Sequence, residues 1–105
     1  MIFRRRGRFD EVIQRQLDLF EQDHHDVLEE VVERMEAYNR ADRDEAEELF
    51  GDYVDAVETG TELLADIRDG YARMLEEGIG EIYEEEFNKA VFKRWPPLAS
   101  EIDLR

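Results

Sequence analysis

Two adjacent histidines, His24 and His25, are the only histidines of the chain and lie in the acidic stretch EQDHHDVLEE. Glu21 precedes His24 by three residues, a spacing that places both side chains on one side of a helix. Helical di-iron proteins use this E-x-x-H pattern, together with carboxylates from facing helices, to bind their metal. A metal site that uses Glu21 and His24 is therefore one hypothesis for the chemistry of this chain.

Other residues that could do chemistry are scarce. Ser100 is the only serine, and no partner residues complete a Ser–His–Asp arrangement with it. The G-I-G at residues 78–80 lacks the further glycines and the preceding strand of a nucleotide-binding loop. The chain also has no cysteine, and so no thiolate chemistry. We therefore predict that the protein is not an enzyme and uses no cofactor.

The elements that position these residues are predicted to be helices. Apolar residues recur every three or four positions over residues 9–38, and this range contains neither glycine nor proline. The period predicts one long helix. Asn39 suits the left-handed position after a helix, and Asp42 with Glu45 forms a capping box that begins the next one. Because the loop between them is short, the two helices should run antiparallel.

The second helical pattern covers residues 46–78 and carries Gly60 inside its apolar stripe, where we expect a neighbouring group to come close. Glycines at positions 78 and 80 then weaken the helix, and the apolar phase changes. A third, shorter helix is predicted from about Gly80 to Arg94, whether hinged from the second or continuous with it, and Pro96 and Pro97 end it. The C-terminal tail, residues 96–105, is expected to lie along the surface of the bundle.

The predicted hairpin offers the histidine pair no further metal ligand. When the hairpin closes, the nearest carboxylate, that of Glu58, lies about 145° from the centre of its own apolar stripe. We therefore favour a simpler interpretation, in which His24 belongs to the apolar stripe and His25 lies at the surface. His24 is then expected to form a hydrogen bond with one of its polar neighbours, Glu21, Tyr53 and Thr61.

The sequence thus predicts a single all-α domain over residues 1–105, a long antiparallel helical hairpin plus a shorter third helix. A helix over residues 9–38 would be about 45 Å long, whereas the third helix would reach only about 22 Å. The apolar stripes are then too long to be covered within one chain. A twofold homodimer that forms a four-helix-type bundle is the simplest way to bury them. The residues assigned to this interface are Phe20, Val27, Phe50, Tyr53 and Val54.

The charge balance is the most unusual global property of the chain. Acidic residues number 29 and basic residues 14, which gives a formal net charge of −15, and the basic residues comprise 12 arginines and 2 lysines. Such a charge repels itself unless salt screens it. In its acidity and its scarcity of lysine the whole chain resembles the proteins of salt-in halophiles, and it is similar to small acidic haloarchaeal proteins, although no motif carries the resemblance. The resemblance implies a cytoplasmic location and no particular activity.

The one basic cluster is the N-terminal arm, residues 1–8, which contains Arg4, Arg5, Arg6 and Arg8. We expect this arm to be solvated and to lie against the acidic surface of the protein itself. The net charge disfavours nucleic acid as the main partner, because phosphate binding needs clustered cations. No apolar run approaches the ~20 residues of a membrane span, so we expect no membrane partner.

These observations favour a non-enzymatic helical interaction or scaffold protein that forms a homodimer. Two alternatives stay open at this point. One is a ferritin-like metal-binding or redox bundle that uses Glu21 and His24. The other is a regulator whose basic N-terminal arm contacts nucleic acid.

Overall fold

The computed structural model describes residues 7–105, and every regular element in that range is a helix. The all-α prediction is therefore confirmed. The described chain is elongated and measures 50 × 36 × 23 Å. In chain order the elements are α1 (Asp10–Asp23), α2 (His25–Asn39), α3 (Arg43–Ala72), α4 (Ile79–Arg94), a 3₁₀ turn (Pro96–Leu98) and α5 (Ala99–Leu104).

The prediction of one continuous helix over residues 9–38 is wrong, because the chain breaks at His24 into α1 and α2. His24 has φ −126° and ψ 34°, outside the helical range, while its amide still donates to the Phe20 carbonyl at 2.8 Å. The break changes the direction of the chain, so that α2 packs along α3 whereas α1 packs mainly against α4. The apolar spacing of three to four residues persists through the break, and the sequence pattern therefore does not reveal it.

The connection between α2 and α3 is as short as predicted but differs in its details. Asn39 is the last residue of α2 and is not left-handed; no described residue other than glycine has a positive φ. Asp42 is the residue before α3, as expected, with an extended backbone (φ −73°, ψ 161°), but its side chain makes no capping hydrogen bond. Instead, its carbonyl accepts the amides of Glu45 and Ala46, both at 3.0 Å.

The second and third predicted helices are separate. α3 ends at Ala72, six residues before the predicted end at 78, and a short connection leads to Gly78. Gly78 has φ +86°, a left-handed conformation that glycine adopts without the steric cost of a side chain. α4 begins at the next residue, and the predicted third helix is confirmed to within one residue at its start.

The hydrophobic core lies where α1, the second half of α3, α4 and the C-terminal tail meet. The expectation that the tail lies on the surface is wrong for two of its apolar residues, since Leu98 and Ile102 are fully buried. Leu98 packs over Gly60, where an added Cβ would lie 3.7 Å from a Leu98 methyl group and 3.6 Å from one of Val27. Side chains therefore lie close to Gly60, as predicted, but at ordinary van der Waals distances that would also accommodate an added Cβ. Of the larger apolar side chains Leu98, Ile102 and Leu104, only Leu104 stays exposed.

A buried arginine fixes the tail to the helices. The guanidinium of Arg68, on α3, is only 3% exposed. It donates to the Asn88 side-chain oxygen on α4 at 2.9 Å and to the Ile102 carbonyl on α5 at 3.0 Å. A third hydrogen bond, of 2.9 Å, reaches the Asp69 carboxylate. Arg68 thus connects three helices, and each bond uses a different acceptor.

A second polar group inside the core is the phenol of Tyr83. Its ring is fully buried, with the Tyr71 ring at 4.7 Å and the Phe9 ring at 5.5 Å between centroids. The hydroxyl donates to the Gln16 side-chain oxygen at 2.7 Å. Burial raises the pKa of Tyr83 to about 12. The folded chain therefore strongly prefers the neutral phenol.

The two ends of the molecule are packed very differently. We call the region around Arg68 and Tyr83 the packed end, because nearly all of the fully buried residues lie there or next to it. The other end is the far part of the α2–α3 pair, residues 32–55, which we call the arm. Every residue of the arm is described, and none of them is fully buried.

Candidate interaction surfaces

Glu21 and His24, the two residues of the metal hypothesis, have different partners in the structure. The His24 ring lies against Phe20, with 5.3 Å between ring centroids. The Glu21 carboxylate instead lies 3.7 Å from the guanidinium of Arg94. His25 is exposed, as predicted, and its Nδ1 is 3.5 Å from the Glu29 carboxylate. Within residues 7–105, no three histidine or acidic side chains gather closely enough to hold a metal ion.

Thr61, one of the expected hydrogen-bond partners of His24, does not bond to it. The Thr61 hydroxyl lies inside α3 and is directed to the backbone of its own helix, at 2.9 Å from the Val57 carbonyl and 3.1 Å from that of Glu58. His24 thus packs as a half-buried ring at the junction of α1 and α2. Its aromatic contact with Phe20 takes the place of the predicted polar contact.

Two of the residues assigned to a dimer interface pack against other parts of the same chain. Phe20 is 1% exposed and packs against Trp95, with 5.5 Å between ring centroids. The assignment of Phe20 to the interface is therefore wrong, because the break at His24 turns α1 over α4 and buries Phe20 within one chain. Val27 is half-buried and faces Gly60 of α3.

The other three interface residues lie on the arm. Phe50 is 48% exposed, Tyr38 of α2 is 38% exposed, and their rings are 5.3 Å apart. Tyr53 extends this cluster, with its ring 6.3 Å from that of Phe50, and Val54 is half-buried one turn from Phe50. We call Tyr38, Phe50 and Tyr53 the aromatic tip. It is an apolar surface that the described chain leaves partly uncovered.

Gly51 adjoins the aromatic tip and has no packing role within the chain. A Cβ added at this position would meet no described atom within 4 Å. A glycine inside a helix is about 1 kcal/mol less favourable than alanine, and α3 continues for two further turns on its N-terminal side and more than five on the other. The described chain therefore offers no steric reason for this glycine. Its missing side chain leaves the helix backbone accessible beside Phe50.

A second uncovered surface is an open groove of about 1080 Å³ on the side of the packed end that adjoins α2. It lies between the last turns of α1, the first half of α2 and the turn that follows α4. Leu19 and Val32 stand at its edges and are 50% and 47% exposed. Its floor is apolar and is formed by Leu28, Val31, Trp95, Pro96, Pro97 and Leu98.

The rim of the groove is acidic. Four carboxylates line it, from Asp18, Glu21, Glu29 and Glu33, against one guanidinium, that of Arg94. Arg94 is already engaged, because it donates to Asp18 at 2.8 Å and to the side-chain oxygen of Gln14, and lies near Glu21. With His25 neutral, the charged side chains sum to −4 + 1 = −3. The groove thus combines an apolar floor with a net negative rim.

Arg68 and the groove were not predicted from the sequence. Arg68 follows Leu64 by four residues, so it falls on the apolar stripe of α3; a charge at that position is a signal that could have identified it. The groove has a weaker signal. Trp95 and two prolines followed by apolar residues indicate a turn after which the chain packs against the helices. The position of that turn depends on contacts between residues distant in the sequence.

The basic N-terminal arm falls mostly outside the described residues, since Arg4, Arg5 and Arg6 precede Gly7. Arg8 is described, and its guanidinium carbon lies 5.8 Å from the centre of the Phe9 ring. The next residue, Phe9, is fixed to α4, because its backbone amide donates to the Glu86 carboxylate at 3.0 Å.

Among the described residues, no helix combines the length and the apolar character that crossing a bilayer requires. Comparison with known proteins identifies no relative: no protein-family model matches the chain, and no curated protein or solved structure is detectably similar to it. Any functional conclusion therefore depends on the surfaces described above.

Proposed function

We propose that this protein is a non-enzymatic helical interaction or scaffold protein that forms a homodimer through the aromatic tip. The observation that carries the proposal is the cluster of Tyr38, Phe50 and Tyr53 at the loosely packed end of the molecule. Aromatic side chains are enriched at the centres of protein interfaces, where they supply much of the binding energy. Two α2–α3 pairs that meet there form a four-helix-type bundle.

The charges around the tip favour a second copy as the occupant. The tip is not uniformly acidic: Arg40 and Arg43 lie in and next to the α2–α3 connection, close in sequence to Asp44 and Glu47. A twofold interface brings the same surface of both subunits together. Arginines of one copy can then lie beside carboxylates of the other, which limits the repulsion between two chains of net charge −15.

Gly51 supports the same interface. The open space over this residue lets the backbone of a second helix approach α3 beside Phe50. Such close approach is a common reason for a glycine at a helix position that costs stability. The interface proposed here therefore consists of Tyr38, Phe50, Gly51, Tyr53 and Val54, without Phe20 and Val27.

The composition adds a setting to this proposal, a cytoplasm of high salt concentration. At ~1 M salt the Debye length falls to about 3 Å, and repulsion between exposed carboxylates is largely screened. We expect the melting temperature to rise when KCl increases from about 0.1 to about 2 M. Differential scanning fluorimetry measures this directly, and a flat response would remove the support for a salt-adapted protein.

The proposal is tested by the mass of the protein in solution. At high salt, light scattering should give about twice the chain mass of 12.5 kDa, and Phe50→Ser should give the monomer mass. Phe92→Ser is the matched control, because Phe92 is another exposed helical phenylalanine and lies on α4. A wild-type monomer at high micromolar concentration would contradict the proposal, as would loss of the dimer in Phe92→Ser.

A further inference from the structure

The groove beside α2 differs from the aromatic tip in what it can bind. Its rim carries a net charge of −3, and its one guanidinium is already paired. A second copy of the chain has a net charge of −15, and nucleic acids and acidic lipids are also negative. All of these would bring like charge to the rim. A complementary occupant must place an apolar face on the floor of the groove and positive charges beside the carboxylates of the rim.

The backbone of the occupant can also be specified. Among the described residues there is no strand whose edge could pair with an extended peptide, and Pro96 and Pro97 in the floor have no amide hydrogen to donate. An extended segment would therefore leave its own amides and carbonyls unpaired against an apolar surface, which is costly. A helix satisfies these groups internally, and short amphipathic helices bind grooves of this kind through residues at i, i+3, i+4 and i+7.

From these features we infer that the groove is the binding site for a basic amphipathic helix of a partner protein. Apolar side chains of that helix pack on Leu28, Trp95 and Pro97, which line the groove and are only half-buried. Its lysines or arginines face Glu29 and Glu33. The groove and the tip can be occupied at once, because Val32 and Tyr38 point about 120° apart around α2. The inference extends the proposed interaction role and does not depend on the dimer.

A synthetic leucine–lysine helix of about 14 residues is the probe, since about 21 Å of helix exceeds the 12 Å or so of α2 that lines the groove. Trp95 is the only tryptophan of the chain and lines the groove, so its fluorescence reports occupancy. We expect saturable binding to the protein that weakens as salt increases from about 0.1 M, because the rim charges are screened, and that persists at about 1 M through the apolar contacts with the floor. A leucine–glutamate peptide with the same apolar pattern should not bind.

Two variants locate the site. Replacing both edge residues, Leu19→Ser and Val32→Ser, should weaken peptide binding by about tenfold or more, because both lose apolar area that the helix covers. Phe92→Ser, outside the groove, should leave the affinity unchanged. Equal affinity of the double variant and the wild type would overturn the inference, since binding would then be unspecific attraction to an acidic surface. Equal binding of the leucine–glutamate peptide would overturn it as well.

Two further variants separate the alternatives. Phe50→Ser should bind the peptide as well as wild type even where it loses the dimer, so that failure of the dimer and failure of the groove are distinguishable. A full-length variant with Arg4, Arg5 and Arg6 replaced by serine tests whether the basic N-terminal arm fills the groove itself. Unchanged affinity in this variant supports a partner helix. A tenfold gain in peptide affinity would overturn the inference, because it would show that the basic N-terminal arm occupies the groove.

Discussion

The packed end and the arm use helices of similar composition in opposite ways. At the packed end, α1, α4 and the C-terminal tail cover the second half of α3, and even Arg68 is buried with three hydrogen bonds. In the arm, α2 and α3 cover only each other, and no residue between positions 32 and 55 is fully buried. The packing of α2 on α3 alone therefore leaves the aromatic side chains of the arm partly exposed.

The difference indicates where the molecule is complete and where it is open to partners. An apolar face that the chain covers itself contributes to stability, whereas a comparable face left uncovered is typical of interaction sites. The two uncovered surfaces also differ from each other. The tip has charges of both signs near its aromatic rings, while the groove has an acidic rim, and this difference in charge is why we propose a second copy for the first and a basic partner for the second.

The largest effect that would sharpen this comparison is expected at Arg68. Arg68→Ala leaves the Asn88 side chain and the Ile102 carbonyl without their donor and opens a cavity where three helices meet. A buried acceptor left without its donor costs about 1–3 kcal/mol, and the cavity adds to this, so we expect the free energy of unfolding to fall by roughly 3–5 kcal/mol. Urea denaturation measures this change.

The matched control for Arg68 is Arg34→Ala. Arg34 is exposed on α2 within the arm, and among the described residues it pairs only with Glu30, one turn away. Such surface pairs contribute at most about 1 kcal/mol. If the two variants lost similar free energies of unfolding, the division into a packed end and a loosely packed arm would be wrong.

Alkaline pH should act on the packed end through Tyr83. The phenol has a pKa of about 12 in the folded chain and about 10 when unfolded. Above pH 10 the unfolded state therefore releases its proton first, and the free energy of unfolding falls by about 2–3 kcal/mol as pH rises toward 12. Below pH 10 this contribution is fully present.

Tyr83→Phe isolates this contribution from the titration of other groups. The difference in unfolding free energy between wild type and Tyr83→Phe should shrink as pH rises from 9 to 11 in urea denaturation. The Gln16 side chain, which loses its donor in the variant, is only half-buried and can be hydrated. A difference that stays constant over this range would show that the phenol is not protected in the folded chain.

A smaller effect of opposite sign is expected in the arm. Gly51→Ala should raise the free energy of unfolding of the monomer by about 0.5–1 kcal/mol, because alanine favours the helix and the space is open. If a second copy packs over this position, the same change should weaken the dimer. Denaturation at low protein concentration measures the first effect, and the dissociation constant from sedimentation equilibrium measures the second. A more stable monomer with an unchanged dimer would remove Gly51 from the interface.

The smallest effect concerns the histidines. Zinc or ferrous iron should leave the melting temperature unchanged, because Glu21 and His24 do not gather with a third ligand among the described residues and a ligand specific for the native state must raise it. His25→Ala should alter the free energy of unfolding by about 0.5 kcal/mol or less. A metal-induced rise that both Glu21→Gln and His24→Leu abolish would restore the metal hypothesis.

The sequence predicted those parts of the fold that depend on local pattern. The period of apolar residues located α3 and α4, and the prolines after Trp95 located the end of α4. Phe50 and Tyr53 could be assigned to an uncovered surface because they lie where α2 and α3 alone cannot cover them. These predictions need only the spacing of residues within one helix.

The remainder depends on contacts between residues far apart in the chain. The break at His24 leaves the apolar spacing intact, so only the packing of α1 on α4 reveals it. The burial of Leu98 depends on its contact with Gly60, and that of Ile102 accompanies the hydrogen bond from Arg68. The groove forms only once the tail is docked, and no local pattern in the sequence specifies its shape.

The central claim is that two copies meet at the arm, and a distance measurement across the dimer tests it most directly. The chain has no cysteine, so spin labels can be placed at Glu48→Cys on the arm or at Lys89→Cys on α4, both exposed positions. Pulsed dipolar spectroscopy at high salt should find the two Glu48 labels closer together than the two Lys89 labels. A shorter distance between the Lys89 labels, or no dipolar coupling between the Glu48 labels of a dimeric sample, would contradict the account.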